Sequence, residues 1–165
     1  MTQVGSTNTS WGEGGVNDWR VWRYIAPATG TVALSAYSQF SDSTANSVHG
    51  LAIAFSNVNQ TTPNRTLVQA VSSTSTPNVS CSDAVAGDTV VSWIMDRNNV
   101  PRYNIVSSRG TAQTQRVYAG YDGWGAADQV GYLDTGIATS TTEQHSWVLT
   151  SAFNHIRAII PIVAV

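Results

Sequence analysis

The chain of 165 residues has the length of one domain, with 42% hydrophobic and only 11% charged residues, about half the charged share of ordinary soluble domains. Its eight basic residues are all arginine, they stand mostly alone, and the formal net charge is −2, so there is no basic stripe to track a phosphate backbone and nucleic-acid binding is disfavoured. Ser, Thr, Asn and Gln must cover the surface, which suits a protein that docks onto a larger body or works outside the cytosol.

The chain opens on a polar stretch, Met1 to Gly15, without the positive and apolar regions of a secretory signal. It reads as an N-terminal polar arm (1–15) ahead of a single domain (16–165), and no run nears the ~18 apolar residues of a membrane helix. Short apolar runs then recur between Gly, Pro, Asn and Ser clusters, with no sustained helical period. The first is Asp18 to Ile25, closed by the turn residues Pro27 and Gly30. Thr31 to Phe40 follows, with Val32, Leu34, Ala36 and Phe40 on one face and Thr31, Ser35 and Gln39 on the other. The pair reads as a hairpin.

Further strands are expected at Gly50–Val58, Thr66–Ser72, Thr89–Arg97, Tyr103–Ser107, Gln115–Tyr121, Val130–Thr135, Gln144–Phe153 and His155–Val165. The stretches Gln3–Ser10, Ser41–Ser47, Ser72–Ser80 and Thr139–Thr142 read as loops. The expected fold is all-β: a two-sheet antiparallel, jelly-roll-like sandwich of about nine or ten strands with very little helix. In the last strand, Ile156 to Val165, both faces are apolar and Pro161 has no N–H to give a ladder. Either loops of the same chain or a neighbouring subunit must cover it, and the second option makes Ile156, Ile160 and Ile162 candidate interface residues.

Searches for catalytic patterns return little. His49, His145 and His155 follow no metal spacing, and no nucleophile elbow, zinc-protease helix or phosphate loop is present. His145 and His155 read as hydrogen-bonded or exposed side chains, and no catalytic residue is assigned. The lone Cys81 reads as a small buried hydrophobe. Trp22, Trp93 and Trp147 sit in strand patterns and read as core. Asp122, Asp128 and Asp134 lie close in sequence, but without the alternation of an EF-hand. Calcium is the one cofactor they leave open, and no other is expected.

Tyr118, Tyr121, Trp124 and Tyr132 cluster around glycines and carboxylates, and exposed rings beside carboxylates are what a sugar face stacks against. Tyr121, Asp122, Trp124, Asp128 and Tyr132 are the candidate ligand-binding residues.

Two stretches carry a resemblance: Trp22-Arg-Tyr-Ile-Ala-Pro-Ala-Thr-Gly-Thr-Val32 and Leu51-Ala-Ile-Ala-Phe-Ser-Asn-Val-Asn-Gln-Thr-Thr-Pro63, the second followed by Gly87-Asp-Thr-Val-Val91. The chain resembles, over about Trp19 to Met95, a family of β-sandwich domains of bacteriophage virion proteins and bacterial surface or secreted proteins. Where that family usually has glycine before Val58 this chain has Asn57, which tolerates left-handed backbone better than most residues. The resemblance implies a non-enzymatic virion structural protein, a capsid decoration or fibre-type part. Such a protein is made in the host cytoplasm and carried on the virion surface, with other virion proteins or copies of itself as partners. The alternative is an extracellular carbohydrate-binding module or adhesin tip that uses the aromatic loop.

Overall fold

The structure is a computed structural model that describes residues 1–11, 15–25, 52–98, 106–120, 128–150, 152 and 154–165. The expected strand Thr31–Phe40 and its turn, His49, Tyr121, Asp122 and Trp124 lie outside the described residues, and of Asp128 only the backbone is described. Among the described residues there is no helix. Ten antiparallel strands among these residues form three sheets, in agreement with the expected β-sandwich.

Strands β1 (Thr2–Trp11) and β2 (Gly15–Arg23) pair as a two-stranded ribbon. A five-stranded sheet follows the order β3-β10-β5-β8-β7, comprising Val68–Ser72, His155–Ile162, Thr89–Asn98, Asp128–Ile137 and Thr114–Gly120. A three-stranded sheet, β4-β9-β6, is made of Asn78–Cys81, Glu143–Leu149 and Val106–Arg109.

Strand alternation explains the layering. Val90, Ser92 and Ile94 of β5, Ile159 of β10 and Tyr132 and Asp134 of β8 share the inner face, against Val79 and Cys81 of β4 and Trp147 and Leu149 of β9. The opposite face of the same sheet is also apolar. Ile156, Ala158 and Ile160 of β10, Val91 and Trp93 of β5, Leu133 of β8 and Val117 of β7 lie there under Val4 and Val21 of the ribbon and Phe55 and Leu67 of the preceding segment. Leu67 packs on Gly5, where a Cβ would meet its Cδ2 and make that side chain move.

β10 is therefore an interior strand, paired with β3 on one side and β5 on the other, and the chain itself covers both of its faces. Ile156 and Ile160, read from the sequence as interface residues, are buried inside the fold, and Ile162 is half-buried. Hydrophobicity on both faces reports burial, but it does not report which chain does the burying. Pro161 is tolerated because β3 has already ended at the Val68↔Ile159 pair, and beyond it the Pro161 carbonyl accepts from Arg65 N at 2.9 Å.

Three other segments differ from the sequence reading. Gln3–Ser10, read as a loop, lies in β1 and pairs with β2; the other arm of the hairpin expected for Asp18–Ile25, Thr31–Phe40, lies outside the described residues. Asn78–Ser80 belongs to β4, although Ser72–Ser80 read as a loop. Residues 52–58 form no strand beyond the isolated bridge Val58↔Ala164. Small polar residues look like loop by composition, and in both new strands it is pairing with a neighbour that overrides this tendency.

The second stretch of the resemblance and the Gly87-Asp88 turn that follows it meet at the C-terminus. Asn57 has φ 55°, the left-handed conformation expected of a residue that stands in for glycine. Its carbonyl accepts from Val165 N at 3.1 Å, and Asn59 N donates to Val163 O at 3.0 Å. Asn59 Oδ1 caps the following turn by accepting from Thr61 N and Thr62 N, both at 2.9 Å. Gly87, at φ 97°, turns the chain into Asp88. The Asp88 carboxylate accepts from Arg65 Nε at 2.5 Å and Val85 N at 2.9 Å, while its backbone carbonyl accepts from Ala138 N at 2.8 Å.

Candidate functional site

The chemistry-bearing side chains of the inner face fall into two buried nodes and one exposed shelf. In the first node, β9 projects His145 and Trp147 toward the larger sheet. Ser92 on β5 and Asp134 on β8 stand directly opposite each other in the ladder. Ser92 Oγ lies 2.5 Å from His145 Nδ1. Asp134 Oδ1 accepts from Arg109 Nε at 2.8 Å, and its Oδ2 accepts from Trp147 Nε1. Four strands, β5, β6, β8 and β9, are thus tied across the sandwich.

A nearby serine, histidine and aspartate invite comparison with a hydrolase triad. In a triad the carboxylate holds the histidine and the serine is open to substrate. Here the carboxylate is held by Arg109 and Trp147, and Ser92, Asp134 and His145 are all buried. Burial pushes His145 below its ordinary value, despite the opposing pull of Asp134 and Glu143, so at neutral pH it is an uncharged bridge. Gly136 makes the space, since a Cβ there would come within 3.0 Å of His145 Nε2 and 2.7 Å of the Ala112 carbonyl.

The second node joins β3, β10 and β4. His155 Nε2 lies 3.0 Å from Ser72 Oγ and 3.1 Å from Arg157 Nη1, which also donates to Ser72 Oγ at 2.8 Å. Arg157 Nε donates across the sandwich to the Asn78 carbonyl. A guanidinium can only donate, so Nε2 is an acceptor, and the lone pair a general base would use is already engaged. Both histidines are hydrogen-bonded, as the sequence suggested. Their serine partners, on strands distant in sequence, could not have been read from spacing.

Among the described residues β7 ends the larger sheet and β6 the smaller, and the shelf lies where they meet. Tyr118 on β7 pairs with Tyr132 on β8, and their rings lie 5.1 Å apart at a tilt of 46°. Arg109 sits over the Tyr132 ring at 5.2 Å. Its Nη2 donates to Gln115 on the same inner face of β7. The result is a stack that runs from the wholly buried Asp134 through Arg109, 19% exposed, and the buried Tyr132 to Tyr118, 54% exposed.

Of the candidate ligand-binding residues, then, Tyr132 is placed at the base of this stack. Tyr121, Asp122 and Trp124 fall outside the described residues, within the segment that links β7 to β8. Asp134, weighed for calcium, is turned into the core and held by Arg109 and Trp147. Among the described residues no group of three His, Cys, Asp or Glu side chains is placed to hold a metal ion. Cys81 is buried as expected, its thiol 3.8 Å from the Glu143 carbonyl, and burial pushes that thiol up. Trp147 is core and Trp93 partly buried, but Trp22 is 48% exposed, a correction to its reading as core.

The fold and its inner network define an antiparallel β-sandwich held together by buried polar nodes. Compared with family models, with curated proteins and with solved structures, the chain matches none.

Proposed function

We propose that this chain is a non-enzymatic structural protein of a bacteriophage particle surface, of the capsid-decoration or fibre type, that acts by assembling with copies of itself or other virion proteins. The observation that carries the reading is the run of exposed apolar side chains where the ribbon leaves its docked end: Trp22, Tyr24 and Ile25 are all 38% exposed or more. Large aromatic side chains left in water are the anchors from which protein interfaces are built. The family resemblance points the same way. The residues best suited to acid–base chemistry, His145, His155 and Asp134, are instead buried in bonds that hold strands together.

The test is solution mass by light scattering across a dilution series, for the wild-type chain and for Trp22→Ser combined with Tyr24→Ser. The expected result is a closed oligomer that dissociates on dilution, with a midpoint moved at least about tenfold upward in the double variant. A wild-type chain that stays monomeric up to about millimolar concentration, where even weak specific contacts are populated, overturns self-assembly.

A further inference from the structure

The shelf at the β6–β7 corner goes beyond the assembly reading and does not depend on it. Three features there are unlike an ordinary exposed tyrosine. First, Tyr118 is backed by a second ring, Tyr132, which is itself held by Arg109, and Arg109 is pinned by Asp134 and Gln115. The exposed ring therefore rests on a support that runs back to the buried centre of the sandwich, and its orientation is set before any ligand arrives. Second, the register brings Gln115, opposite Asp134, and Tyr118, opposite Tyr132, onto one face of β7, two ladder positions apart. The irregularity between Gln115 and Val117 leaves Arg116 as the extra residue, and it turns its Nε to Thr135 Oγ1 at 2.7 Å. Third, the ring stands among polar neighbours on its own strand. The neighbouring β7 positions Thr114, Gln115 and Arg116 are exposed and polar.

A fixed aromatic face beside a planar amide and a guanidinium is more polar than the core of a protein interface. It fits the apolar face of a pyranose ring, whose C–H groups stack on an aromatic ring while its hydroxyls bond planar polar side chains. We propose that Tyr118, with Gln115 and Arg109 beside it, forms a saccharide-binding subsite for a neutral hexose polymer.

The test titrates four neutral hexaoses, built respectively of cello-, malto-, manno- and galacto-linked units, into the full-length chain, with heat and intrinsic fluorescence as readouts. At least one should bind saturably. Tyr118→Ala should weaken it by about tenfold or more, Tyr118→Phe should stay within about twofold, and Gln115→Ala should fall between. Absence of saturable binding with all four, or equal affinity in Tyr118→Ala, overturns the proposal. The double variant Trp22→Ser/Tyr24→Ser should retain sugar binding, so failure of assembly and failure of the subsite are read separately.

Discussion

The two faces of the five-stranded sheet are both covered, and they are covered in different ways. On the inner face the smaller sheet brings His145, Trp147 and Arg109 against Ser92 and Asp134, so side-chain hydrogen bonds stitch strand to strand. On the outer face Ile156, Ala158, Ile160, Val91 and Leu133 meet Val4, Val21, Phe55 and Leu67 through apolar contact. Polar bonds specify geometry closely and fail badly when one partner is removed, whereas apolar contact is graded and tolerant. The inner face should therefore fix the relative placement of the two sheets, and the outer face should supply bulk stability.

The harshest way to break this comparison is Asp134→Ala. It removes a wholly buried carboxylate and leaves Arg109 and Trp147 Nε1 without their acceptor, so a loss of about 3–5 kcal/mol is expected. Denaturant unfolding measures it, and a loss below about 1 kcal/mol would mean the node is not what holds the sheets. The outer-face counterpart, Ile160→Ala, should cost about 2–4 kcal/mol through lost transfer energy and the cavity left behind. It should lower stability without changing the environment of Trp147. The indole N–H resonance of Trp147 in an NMR spectrum separates the two variants, since Asp134→Ala removes its acceptor and should shift it and Ile160→Ala should not.

The two faces also differ in how readable they were. Alternation and apolar runs are local signals, so β5, β8, β9 and β10 were placed nearly as found, and β10 was recognised as apolar on both faces. The cover for that strand comes from Val4 and Leu67, about 90 to 150 positions away in the chain, and no local pattern names it. The inner network was hidden for a related reason. Ser92, Asp134 and His145 are ordinary residues in their own strands and become a cluster only through the register of β5 with β8 and the stacking of β9 above them. β1 and β4 were missed because their Thr, Asn and Ser residues look like loop until pairing supplies the hydrogen bonds. Of the aromatic loop, only its base at Tyr118 and Tyr132 falls among the described residues.

pH offers a gentler way to sharpen the contrast, because the inner face carries His145. With His145 held below its ordinary value by burial, the unfolded chain takes up the proton first, so stability is complete above about pH 6.5 and falls as pH drops through the His145 window. Carboxylates act lower. Burial alone would raise Asp88 and Glu143, but bonds from Arg65 and Val85 N–H to the first, and from Thr139 and Ser140 to the second, outweigh it and hold both below their ordinary values. Their contribution is present above the ordinary carboxylate range and lost as pH falls below about 4. Thermal unfolding from pH 7.5 to 5 should therefore show a decline in the wild type that is flattened in His145→Gln. A variant that declines just as steeply would remove His145 as the cause. At pH 7.5 His145→Gln should itself cost about 1–2 kcal/mol, since it disturbs the bond to Ser92.

The smallest expected effect lies away from both faces, at the latch that ties the C-terminus to the body. Asn57 holds φ 55° while its carbonyl accepts from Val165 N. An alanine there would have to carry its Cβ in left-handed backbone without asparagine's local polar compensation, which should cost about 1 kcal/mol. Glycine takes the conformation without strain but loosens the unfolded chain, and the two effects nearly cancel, so Asn57→Gly should stay within about 0.5 kcal/mol of the wild type. The order Asn57 ≈ Gly > Ala in thermal unfolding would show that backbone conformation, and not a side-chain contact, is what this position supplies. If alanine matches glycine, the left-handed turn is not maintained in solution, and the pairing of Val58 with Ala164 must be held instead by the neighbouring Asn59–Val163 bond and the Asx turn that follows it.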